Sequence, residues 1–304
     1  MKKILSILTV LALAIAVRAQ ETTTRTNDFV TFDRIEASGD FEILYYVSDR
    51  YRVDWTHDTV LGSLVEVNVK DGTLYLSFNE KGMSSELKKT YKGRNARRPL
   101  LRATVYAPRL SGVTLTDNAV FNGTGETVET GTFRIDLSGK AQFKNVKLHA
   151  EKVSLQATRD ARADLQATAS QIDVTTDKSA SVSLSQESDE LTLSTAGASS
   201  VTVSGKTTDL VTSTQNSSKI TLSGTVDSVR HDGKGSSEVD LLGAPMTAAE
   251  AVMSGPCKLY LSVSTLLKVD LKSGSAVYFT GDPRLDVVDI ASSSLLHYDG
   301  KKKK

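Results

Sequence analysis

The sequence predicts an all-β chain: a parallel β-helix, right-handed, with coils of about 19 residues, behind an antiparallel, hairpin-rich N-terminal part. The first observation behind this is a repeated phrase of strand, small-residue corner and strand. It appears as "LTLSTAGASSVTVSG" (191–205), "LVTSTQNSSKITLSG" (210–224), "LKVDLKSGSAVYFTG" (267–281) and "VVDIASSSLLHYDG" (287–300). The second is its spacing. The last apolar positions, Leu165, Leu184, Val203, Leu222, Leu241, Leu261, Phe279 and Tyr298, stand 19, 19, 19, 19, 20, 18 and 19 residues apart. The third is composition: long tracts alternate Ser/Thr with Val/Leu/Ile, with 5 Pro and 6% aromatics, and almost no 3.6-residue pattern.

The repeat resolves into columns, because side chains on a strand alternate faces. Two residues before each anchor stand Ala163, Val182, Val201, Ile220, Val239, Leu259, Val277 and Leu296. Two residues earlier again come Ala161, Ala180, Ser199, Ser218, Ser237, Cys257, Ser275 and Ser294. These three columns face inward and leave room for a tight corner. Between them runs an outward column of Asp164, Ser183, Thr202, Thr221, Asp240, Tyr260, Tyr278 and His297. A first strand precedes each corner, as in Ile172/Val174, Leu191/Leu193, Val269/Leu271 and Val288/Ile290. A single unit of this size cannot bury its own apolar face, so the units must stack. An up-and-down antiparallel barrel would need hairpins where the equal period offers none. The stretch "LLGAPMTAAEA" (241–251) breaks the pattern and is expected to bulge out.

Residues 20–110 read as the N-terminal antiparallel part or cap, and 111–300 as the coils. "LVEVNVKDGTLYLSF" (64–78) alternates around Asp71-Gly72, a type I′ hairpin signal, and "FEILYYVSDRYRVDW" (41–55) resembles a second hairpin. The basic stretch 81–98 is expected as an exposed loop.

The chain opens with Lys2 and Lys3, an apolar run from Leu5 to Val17, and small residues at Val17 and Ala19. Residues 1–19 therefore read as a secretory signal peptide, and with no Cys after the run, not a lipoprotein one. Removing them with their three cations leaves 34 of the 37 Lys and Arg against 36 Asp and Glu, a net charge of −2. That balance argues against a nucleic-acid partner. The basic tail 301–304 reads as solvated, and the one Cys gives no intrachain disulfide.

An exported chain with "FDRIEASGDFEILY", a D-G hairpin, "ATVYAPRLSGVTLTDNAVF" and Ser/Gly/Ala-rich coils resembles the family called putative auto-transporter adhesin head GIN domain, over roughly residues 29–300. The resemblance implies a β-helical protein of the Gram-negative envelope: periplasmic, on the outer surface, or secreted.

Motifs for chemistry are sparse. His57, His149, His231 and His297 are scattered, and no HExxH, CxxC or EF-hand spacing occurs, so neither a metal nor a cofactor is expected. His231-Asp232 has no nucleophile elbow nearby and reads as a coil residue beside the turn at Gly233 and Gly235. Cys257 sits in the small inward column. Asp282, Asp286 and Asp289 are close in sequence, while Asp164 and Asp240 share a column four coils apart; a β-helical polysaccharide lyase or hydrolase would need such acids beneath long loops. Asn122 and Asn216 match glycosylation sequons.

The expected contact residues are Tyr260, Tyr278 and His297, stacked outward on consecutive coils, with Lys258 beside them. Tyr45, Tyr46, Tyr51 and Trp55 form a second group, about half of which alternation would bury. The reading is a non-enzymatic interaction module, adhesin-like, binding protein or glycan through its outer face. A self-associating structural protein is the further alternative, since the last coil near Leu296 and Tyr298 has no evident cap.

Overall fold

A computed structural model of the protein describes residues 21–92 and 96–300. The expected signal peptide (1–19) and basic tail (301–304) lie outside the described residues. The body is a parallel β-solenoid. Its central strands are β11 (Gln142–Arg159), β12 (Arg162–Lys178), β13 (Ser181–Thr195), β14 (Ser200–Thr214), β15 (Lys219–Lys234), β16 (Glu238–Ser254) and β17 (Lys258–Lys272). Each pairs in parallel with the next, and the register joins the columns read from the sequence: Leu165 to Leu184, Leu184 to Val203, Val203 to Leu222, and Leu241 to Leu261. The inward positions are buried, the small corner column included, with Ala161, Ala180, Ser199, Ser218, Ser237, Cys257 and Ser275 no more than 2% exposed. Each Val or Leu so buried contributes roughly 1.5–3 kcal/mol, and a one-residue slip would forfeit a whole column.

The N-terminal part mixes both pairing senses. β1 (Thr22–Asp28), β2 (Arg34–Ala37), β3 (Glu42–Val47), β4 (Arg52–Asp58), β5 (Val65–Lys70) and β6 (Thr73–Phe78) come first. They are followed by helix α1 (Ser85–Lys92) and strands β7 (Leu101–Ala107), β8 (Gly112–Leu115), β9 (Val120–Gly123) and β10 (Thr127–Leu137). β5 and β6 form the expected hairpin, with Asp71 and Gly72 both at positive φ (49° and 72°), as a type I′ turn requires. The second expected hairpin is absent. β3 and β4 do not pair with each other; β7 lies between them, parallel to β3 and antiparallel to β4. β2 and β3 also pair in parallel with β8 and β9, so the solenoid ladder already begins at Arg34.

One other expectation is corrected and one is met in part. The stretch 81–98 is no free loop: α1 lies within it, and Tyr91 is buried against the cap. Apolar Leu87 and Tyr91, one turn apart on the helix, supply the contact that holds it. The stretch 241–251 bulges as expected but forms no turn: β16 runs through it and takes up the extra residues as register shifts between Leu241 and Met246 and between Met246 and Ala248.

The chain ends in β18 (Ala276–Thr280), β19 (Arg284–Ala291) and β20 (Ser294–His297). The last coil is one residue out of the sequence register. Ser273 and Gly274 both take positive φ (61° and 86°) at the corner before it, whereas Ser292 alone (53°) turns the final one. The shorter corner brings Leu295 under Val277 and His297 under Phe279, and sets Leu296 beside Tyr278. The inward residues are therefore Leu295 and His297, not Leu296 and Tyr298. β19 is exposed along its whole length, with Leu285 at 45% and Val287 at 49%, and among the described residues no further strand covers it.

Candidate functional site

The site expected from the sequence lies on the outer face of the last three coils. There the outward ladder, Ser183–Thr202–Thr221–Asp240 in earlier coils, becomes Tyr260, Tyr278 and Leu296. The ring centroids of Tyr260 and Tyr278 are 4.8 Å apart, with planes 12° from parallel. Parallel strands separated by about 4.8 Å impose this stacking. Tyr298 stands with its edge to Tyr260 at 5.9 Å. Tyr260 is consequently only 8% exposed; it supports the patch from beneath, and Tyr278 and Leu296 form the accessible part. Lys258 is exposed on the same strand, in register with Glu238 and Ala276.

His297 is not on this ladder. It pairs with Phe279 and sets its ring edge-to-face against that ring at 5.5 Å, at the C-terminal end of the solenoid. The sequence could not show the shift, because a 19-residue step fits both registers until the length of the corner is known. In the second aromatic group, Tyr45 and Trp55 are buried, Tyr51 packs on Phe32 at 5.4 Å, and Tyr46 stacks outward on Tyr106 at 5.4 Å. Tyr106 is a surface aromatic that the sequence did not single out, because its partner is sixty residues upstream.

The acidic residues are dispersed. Asp286 is in register with Lys268, and Asp289 with Asp270, at 4.0 Å from Lys272. Asp282 lies exposed in the turn before β19. Asp164 and Asp240 remain on one column four coils apart. Elsewhere the outer face carries charge ladders, as in Arg230–Glu250 (3.4 Å) and Glu250–Lys268 (3.0 Å), beside a shallow groove of about 360 Å³ lined by Val211, Ala248 and Leu266. The Lys268 ammonium holds the Glu250 carboxyl below its usual range. Among the described residues, no group of three or more His, Cys, Asp or Glu gathers into a metal-ligand set, and no helix is long and apolar enough to cross a membrane.

His231 lies on β15, just before the turn at Gly235. It points inward, 1% exposed, and burial lowers its pKa to about 4. Cys257 fills the small corner as its column indicated, and burial raises its thiol pKa. His149 lies on the surface, with Nδ1 2.6 Å from Glu129.

Comparison with known proteins bears on the whole solenoid. No curated protein matches the chain. A solved structure described as a "putative adhesin" from Parabacteroides distasonis is 15% identical, with 91% of this chain and 97% of that chain covered and a TM-score of 0.55. A second "putative adhesin", from Parabacteroides merdae, is 14% identical over 92% of this chain and 97% of that one, with a TM-score of 0.47. A "putative lipid binding protein" from Parabacteroides distasonis is 16% identical over 91% and 97%, with a TM-score of 0.44. At 15% identity the first likeness is one of fold. The family model for "putative auto-transporter adhesin, head GIN domain" matches residues 31–186 and again 173–283. The two matches together cover most of the solenoid, and the chain belongs to that family.

Proposed function

We propose that the protein is a non-enzymatic, exported interaction module of the cell envelope or its surroundings, adhesin-like, which binds protein or glycan through its outer face near the C-terminal coils. The observation that carries this reading is the change along one outward ladder from Ser and Thr to Tyr260, Tyr278 and Leu296. Stacked rings beside a Leu and a Lys offer a flat, partly apolar surface on which a sugar face or a protein side chain can dock. Tyr278, Leu296 and Lys258 are the proposed contact residues, with Tyr260 as their support; His297, expected among them, faces the other side of its strand, under Phe279. Export is supported by the reading of residues 1–19 as a signal peptide and by the family's description, "putative auto-transporter adhesin, head GIN domain".

The test is a glycan-array and matrix-protein screen of the purified chain beside a K258S/Y278S/L296S variant. Loss of a hit in the folded variant supports the site; a hit that the variant keeps moves the contact elsewhere.

A second reading, self-association, is favoured by the exposed apolar end. Leu285, Val287 and Ile290 continue the inward columns of Leu267, Val269 and Leu271, and among the described residues β19 pairs on one edge only. A concentration-dependent dimer in sedimentation velocity, lost in L285D/V287D, would establish it.

A further inference from the structure

Within the apolar stack lies a small group of soft and polar side chains that the proposed function does not use. Three side chains converge beside Gly233. The position that a Cβ would take on this glycine is 2.7 Å from His231 Nε2, 3.3 Å from Cys257 Sγ and 3.4 Å from Met253 Cγ. All three side chains are closed off from water, at 1%, 0% and 1% exposure. His231 Nε2 has no hydrogen-bond partner. Its other nitrogen, Nδ1, is 2.8 Å from Thr212 Oγ1. The register makes the room. His231 pairs with Thr212 and Ala251, and Gly233 with Thr214 and Met253, so two small residues stand where neighbouring coils carry larger ones.

We propose that this is a binding site for a single monovalent soft metal ion of the Cu(I) class, held by His231 Nε2 and Cys257 Sγ, with the thioether of Met253 as third donor. The donors are those that soft ions select, and their number suits the low coordination of Cu(I) rather than the four ligands of a structural zinc. Charge decides in the same direction. One thiolate and one Cu⁺ are together neutral, whereas a divalent ion would leave an unpaired positive charge in a dry core. In the tautomer the site requires, Nδ1 carries the proton and donates to Thr212 Oγ1, which leaves the Nε2 lone pair for the metal. As the S–Cu bond forms, the thiol proton leaves to solvent; copper stays Cu(I), and no electron is transferred.

The thiol now donates weakly, at 3.4 Å to Gly255 O and 3.6 Å to Gly233 O, and gives up only these bonds on binding.

The experiment refolds the chain anaerobically with a Cu(I)–acetonitrile salt, removes free metal by gel filtration, and measures copper per chain and the S and N donors by X-ray absorption. The variant C257S is the control, because Ser already fills this corner in four other coils, at Ser199, Ser218, Ser237 and Ser275, and the variant is expected to fold. The expected result is one Cu(I) per wild-type chain with both S and N donors, and at least a tenfold loss of retention in folded C257S and in H231Q. Copper-free wild type, equal retention by C257S, or preferential retention of Zn(II) offered in its place would each overturn the assignment.

Discussion

Tyr260 and Tyr278 stack at 4.8 Å on adjacent coils whose strands pair residue for residue, yet Tyr260 is 8% exposed and Tyr278 half-buried. One ring therefore supports the other. Tyr260→Ala should cost about 3 kcal/mol in chemical denaturation, since it empties a nearly closed site. Tyr278→Ser should cost about 1 kcal/mol and act on binding instead. Equal losses from the two would show that both rings are structural.

The interior should sense pH through His231. Its folded pKa, about 4, lies below the ordinary 6.5, so the unfolded chain takes up this proton first. The contribution is fully present above pH 6.5, falls as pH drops through the window from 6.5 to 4, and levels off below it, an effect on the order of 3 kcal/mol. Urea midpoints measured across that window should fall with pH in the wild type and flatten in H231Q.

Gly205 and Gly224 pair in register on neighbouring coils at φ 132° and 128°. A Cβ on Gly205 would lie 1.7 Å from the Gln186 carbonyl oxygen, and one on Gly224 1.8 Å from that of Gly205. Gly224→Ala is therefore expected to lose about 2–3 kcal/mol. Gly131→Ala, where nothing lies within 4 Å, should be neutral or slightly stabilising. Thermal melts of the two variants make the comparison.

The cap is latched by Asp58, 1% exposed, whose Oδ2 accepts from the Tyr91 hydroxyl at 2.9 Å and the Leu100 N–H at 3.2 Å. Arg97 in turn donates to the Tyr91 hydroxyl at 2.9 Å, with its guanidinium 5.1 Å above the ring. Asp58→Ala should release α1 and the strand entry at Leu101, at a cost of about 2–3 kcal/mol. Limited proteolysis would then cut between residues 79 and 100, leaving the coils beyond β10 protected. Unchanged cleavage would mean that Leu87 and Tyr91 hold the helix by packing alone.

The coils were legible because a stacked interior writes its period directly into the chain: every inward column must be apolar or small, and every outward one polar. Columns such as Val182–Val201–Ile220 needed no coordinates. The placement of β7 between β3 and β4 was hidden, since a strand's partner sixty residues away leaves no local trace. The same holds for Tyr46 with Tyr106, and for His231 with Cys257.

The amino-acid sequence by itself determined the solenoid, its coil length, the buried corner column and the Asp71-Gly72 hairpin, because each follows from alternation and turn chemistry within one repeat. Only the tertiary structure decided which side chains the last coil turns inward. There a single residue fewer at the Ser292 corner moves His297 off the tyrosine ladder, and a period-2 strand converts that one-residue difference into a change of face.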